Sequence, residues 1–145
     1  MTVAVRRFVL FILLLGLSGT AAELLLLAHY EDVNQWIPLA LIGVTLVVLV
    51  VGALRPHAGT IWLTRALMAL FIVAGVVGVV LHFQANLEFQ TEVDPSLSGW
   101  PLVQKALLAK APPALAPGAM IQLGLLGVAY TFRHPALKGP ETENP

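Results

Sequence analysis

Glu23 interrupts an apolar run that begins at Phe8 and resumes at once with Leu24–Leu27. A carboxylate in such a place can hold a proton, pair with a cation or bind a polar ligand. Each of these uses must offset an insertion cost of roughly 2.5–3.5 kcal/mol at the centre of a membrane helix, and less near an interface. Residues of matching chemistry recur further along the chain. His82 and Asn86 are four residues apart and share a helical face, and Glu88 and Glu92 follow at the same spacing. His29, Glu31 and Asp32 come just after the Glu23 segment. A site of Glu23, His82 and Asn86, rimmed by His29, Glu31 and Glu88, has the imidazole and carboxylate groups suited to a divalent cation, a proton or a cationic ligand. The same residues admit a structural reading, with Glu23 and His82 joining two helices by a hydrogen bond and the remaining acids solvated in loops. There is no HExxH, no EF-hand loop and no Glu-x-x-His pair, so the identity of any metal stays open.

The elements that must position these residues are membrane helices. The chain of 145 residues is 58% hydrophobic and only 11% charged, outside the usual composition of soluble domains. Four apolar stretches, residues 8–28, 37–54, 61–83 and 114–132, each approach the roughly 20 residues that cross a hydrocarbon core of about 30 Å. Their continuity predicts helices rather than strands, since strands would alternate over shorter segments. The expected fold is therefore an all-α integral membrane protein, a single domain of four transmembrane helices in an up-down bundle. Alternating spans place Arg6, Arg7, Arg55, Arg65, Arg133 and Lys138 on one side and only Lys105 and Lys110 on the other. That asymmetry puts both termini in the cytoplasm. Arg65, one turn into the third helix, is expected to snorkel back to that interface. Tyr30 and Trp36 outside, with Trp62 and Tyr130 inside, read as aromatic belts.

The longest loop lies between the third and fourth spans. After "DPSLSG", residues 100–110 place Trp100, Val103 and Leu107 on one face, which predicts a short amphipathic helix at the outer interface. Pro112, Pro113 and Pro117 end it before the fourth span, and residues 135–145 form a tail without predicted structure.

A second reading competes for the first span. Arg6 and Arg7 form a basic leader, Phe8–Leu17 an apolar core and Thr20, Ala21 and Ala22 a small-residue cleavage pattern, as in a secretory signal peptide. Cleavage would make Glu23 a solvated amino terminus. The continuous apolar length up to Ala28 favours retention, because a cleavable signal does not need a full span. Gly16, Gly19 and Ala22 then form a strip on which another backbone can pack, beside Glu23.

With no cysteine, the chain has no disulfides, thiolate metal sites, iron–sulfur clusters or thiol nucleophiles. Net charge is zero and no nucleic-acid motif occurs, so nucleic acid is not an expected partner. No phosphate loop or dinucleotide fingerprint appears, and no cofactor is expected. His57 and His134, in a loop and a tail, read as surface histidines rather than haem ligands. The expected partners are the lipid bilayer and a second copy or another membrane protein.

The favoured function class is a non-enzymatic accessory or ligand-binding component of a bacterial inner membrane, with an acidic, histidine-bearing outer face. The alternative is a small proton- or cation-coupled transporter using Glu23, although the second and third spans lack polar residues at mid-membrane. An enzymatic reading rests only on His82 and Glu23 as an acid/base pair.

Overall fold

Thr2 opens the first helix by accepting the Val5 amide on its hydroxyl at 3.3 Å, and α1 then runs Val3–Leu26. In the computed structural model, which describes residues 1–110 and 113–137, this helix starts five residues before the predicted apolar boundary. Arg6 and Arg7 are thus part of the helix. The α1 terminus is a Schellman turn: His29 N–H meets Leu24 O at 2.8 Å and Ala28 N–H meets Leu25 O at 3.1 Å. Ala28 occupies the left-handed position of that turn, at φ 52°, where glycine is the usual residue.

Asp32 starts α2, Val33–Leu54, with a capping box: its carboxylate accepts the Asn34 amide at 2.9 Å, and Gln35 accepts the amides of Glu31 and Asp32. The cap moves the helix start four residues ahead of position 37 and leaves Pro38 in the second turn. His57 performs the same service for α3. Its Nδ1 accepts the Gly59 amide at 3.1 Å, and Thr60 Oγ1 donates to the His57 carbonyl at 2.8 Å.

The third helix, α3, spans Ala58–Val93, 36 residues where residues 61–83 were expected. At 1.5 Å per residue it is about 54 Å long, well beyond a hydrocarbon core. The polar run from Gln84 to Val93 contains no Gly or Pro, and nothing in it stops a helix until Pro95. A nine-residue helix, α4, follows at Gly99–Leu107. Consecutive turns at 113–117 lead into α5, Gly118–Thr131, which is shorter than the predicted 114–132 because Pro113 and Pro117 delay its start. Pro135–Leu137 form one 3-10 turn; the rest of the expected unstructured tail lies outside the described residues.

The molecule is all-helical, with no strand among the described residues. Helices α1, α2 and α3 are long and apolar enough to cross a membrane, and α5 is a shorter apolar helix. Large apolar side chains such as Phe8, Phe11 and Leu15 are about 60% exposed along α1, which suits a lipid environment and fits a membrane-embedded protein.

Two compact units divide the chain, Met1–Phe71 with Leu123–Pro145, and Ile72–Gln122. In the first, α1 packs on α2, and the core is built from stripes at helical spacing: Leu13 and Leu17, then Ile42, Thr45 and Leu49, then Ile61, Thr64, Met68 and Phe71. Gly127 of α5 admits the Met68 side chain. In the second unit, Gly75 allows helix backbones to meet. A methyl group there would lie 2.9 Å from Ile121 N and 3.0 Å from Pro117 O.

Candidate functional site

The six residues expected to form a polar site are divided between the two units. Glu23, His29 and Glu31 belong to the first. Glu23 is exposed on the last turn of α1. His29 is half-buried in the turn that follows, and Glu31 is exposed, its amide held by Gln35 Oε1 at 2.9 Å. Asp32, the neighbouring acid, is the cap of α2 and so has a structural task.

His82, Asn86 and Glu88 belong to the second unit. His82 and Asn86 do share a face of α3, and both reach the returning chain. Asn86 is 2% exposed and its Nδ2 donates to the Ala106 carbonyl in α4 at 3.2 Å. His82 Nδ1 lies 3.1 Å from the Pro113 carbonyl, and since that oxygen can only accept, Nδ1 carries the proton. Glu88, two residues past Asn86, points to the far side of the helix and is exposed. Among the described residues, no group of three or more His, Asp or Glu side chains could hold a metal ion.

Helix α4 forms where the sequence predicts a short helix, slightly earlier and shorter, at Gly99–Leu107. Ala106 is buried and Val103 half-buried, while Trp100 and Leu107 stay exposed. The polar end of this loop is tied by Asp94. Its carboxylate accepts the Ser96 hydroxyl at 2.6 Å and faces Lys105 Nζ at 3.9 Å. The Ser96 hydrogen bond holds the Asp94 carboxyl below the usual carboxylate range, with a lesser contribution from Lys105.

A second polar constellation lies at the start of α1 and the end of α5, both in the first unit. The last carbonyls of a helix have no partner within it and carry the negative end of its dipole. Here two guanidinium groups supply the partners. Arg6 Nη1 donates to Tyr130 O at 3.2 Å, and Nη2 donates to Phe132 O at 3.4 Å and Arg133 O at 3.2 Å. Arg65 donates to the same terminus, Nη2 to Thr131 O at 3.0 Å and Nε to Thr131 Oγ1 at 3.4 Å, with its guanidinium 4.8 Å from the Trp62 ring centroid. Arg6 is 9% exposed, so this interaction is largely withdrawn from solvent.

Two sequence expectations change at this end, and Arg65, expected to reach an interface, is also a cap of α5. Tyr130 is 5% exposed and so is no lipid-facing belt residue; its ring stands 5.8 Å from that of His134. His134, expected at the surface, is buried at 8% exposure, and its Nδ1 accepts the Ala136 amide at 3.2 Å. Burial lowers the His134 pKa, and the guanidinium groups of Arg6 and Arg65 lower it further. Beside these residues lies an open groove of about 420 Å³, lined by Arg6, Arg7, Tyr130 and His134 together with apolar atoms of Val3 and Leu10. The sequence carried one signal for this cluster, the excess of arginine in segments expected to share one side of a membrane, but the expected orientation alone accounted for it.

Comparison with protein families, with characterised proteins and with solved structures gives no match.

Proposed function

We propose that the chain is a non-enzymatic, multi-pass component of a bacterial inner membrane, with four spans in an up-down bundle and both termini cytoplasmic. In this reading, Trp100 and Leu107 seat α4 at the outer interface, and the outer acids meet a cationic ligand, an ion or a partner membrane protein. The observation that carries the reading is the different use of two sets of polar groups. Asp32, Asn86, Arg6 and Arg65 are engaged with backbone groups, whereas Glu23, Glu31 and Glu88 are exposed and make no ion pair among the described residues. Exposed, unpaired acids outside the packing network are available for recognition.

The absence of cysteine makes the topology directly testable. Single cysteines replacing Glu31 and Ser98 should react with a membrane-impermeant maleimide in spheroplasts, and those replacing Arg55 and Pro145 only after lysis. Labelling of positions 31 and 98 on opposite sides would overturn the four-span arrangement. A photo-cross-linker at position 31 or 88 should then give a discrete adduct with a membrane partner or a second copy, and a smear or no adduct contradicts a recognition face. The exposed Glu23 on an apolar helix also keeps a carrier reading in play. Proton-dependent flux in reconstituted vesicles that Glu23→Gln abolishes would establish it, and flux unchanged by that substitution would remove it.

A further inference from the structure

Among the described residues, arginine cations outnumber anions at the end of the first unit where α1 begins. Arg6 and Arg7 are joined there by Arg65 and Arg133, whose partners or backbone lie at the α5 terminus, while the acids of α1 and its following turn, Glu23, Glu31 and Asp32, lie at the other end of that helix. The groups that hold Arg6 and Arg65 are neutral carbonyls and a hydroxyl, so their hydrogen bonds leave the positive charge uncompensated. Arg6 uses three of the five N–H groups a guanidinium offers, leaving two as donors. Arg7 is exposed on the groove and has its fork available. Tyr130 adds a phenol to the lining, and His134 an imidazole.

We infer that this groove binds a phosphate-bearing anion, and that its source is the headgroup of an anionic phospholipid. A planar fork of N–H donors matches phosphate oxygens in geometry as well as charge. The groove is large enough, at about 420 Å³, for a phosphate with its glycerol. Its mixed lining distinguishes a lipid from free phosphate: Val3 and Leu10 give an apolar wall next to the cations, as needed where a headgroup meets its acyl chains. The bound phosphate compensates the arginine charge gathered at the α5 terminus and joins the start of α1 to the end of α5.

The test uses the full chain in a neutral detergent, with phosphatidylglycerol, phosphatidylcholine and inorganic phosphate as separate probes and binding read by native mass spectrometry and thermal shift. Phosphatidylglycerol should bind saturably and raise the melting temperature, and phosphatidylcholine should not. Arg7→Gln should weaken that binding about fivefold, the effect of one basic residue near an anionic headgroup. Lys110→Gln, in the other unit, should leave it unchanged. Weak displacement by millimolar inorganic phosphate supports the lipid source, whereas equal stabilisation by inorganic phosphate alone overturns it. Equal binding by wild type and Arg7→Gln overturns the site.

Discussion

The two units secure their helix ends with different chemistry. In the first, charged guanidinium groups reach across to the bare carbonyls of α5, with Arg6 on three of them and Arg65 on a fourth. In the second, neutral groups and close packing serve, with Asn86 on Ala106, His82 on Pro113 and Gly75 against the backbone of the 117–121 segment. Both arrangements satisfy backbone carbonyls, one with charge and one without. A guanidinium withdrawn from solvent needs several carbonyl acceptors on one terminus to be tolerable, whereas a single side-chain amide suffices for one carbonyl.

Breaking the charged clamp should destabilise the protein most. Arg6→Ala leaves three carbonyls without their donors and should cost about 3 kcal/mol, read as a lowered unfolding midpoint in detergent. Arg6→Lys should recover less than half of this, because an ammonium cannot span carbonyls that a planar fork can. Next is Gly75→Ala, whose methyl group would press on backbone that cannot rotate away, at about 2 kcal/mol. Asn86→Leu keeps the volume but orphans the Ala106 carbonyl, for about 1.5 kcal/mol, and protease sensitivity should rise between α3 and α5. An effect as large as that of Arg6→Ala would erase the contrast between the two modes.

Helix boundaries show what the sequence could convey. Hydropathy marks where a helix leaves hydrocarbon, and proline, glycine and capping residues mark where it stops; the two coincide at Leu54 and part company elsewhere. Gln84–Val93 is too polar to be buried in lipid yet contains no breaker, so α3 continues. Arg6 and Arg7 ended the apolar run on paper, while Thr2 caps the actual helix. The shared face of His82 and Asn86 was legible from their spacing. Their partners, Pro113 and Ala106, were not, because hydrogen bonds to backbone carbonyls leave no trace in residue type. The same holds for Arg6, whose acceptors are the carbonyls of Tyr130, Phe132 and Arg133, over 120 residues away.

Smaller effects sharpen the picture at single turns. Ala28→Gly should stabilise by about 0.5–1 kcal/mol, since glycine relieves the left-handed strain at φ 52° and loses part of that gain to chain entropy. The smallest effect is a pH dependence. Because His134 has a folded pKa below its ordinary value, the unfolded chain binds the proton more readily. Stability contributed by neutral His134 is therefore complete above the ordinary histidine pKa, declines as pH falls through it, and is lost below the folded pKa. His134→Gln should flatten that slope in unfolding midpoints measured between neutral and mildly acidic pH.

The clamp also bears on the fate of the first helix. Cleavage after Ala22 would remove Arg6 and uncover the α5 terminus that it caps, so an intact clamp requires residues 1–22 to remain. The direct test is the intact mass of the protein extracted from its native membrane. A species near 15.5 kDa that retains residues 1–22 is the predicted result. A mass beginning at Glu23 would contradict it, since α5 would then have lost its principal cap.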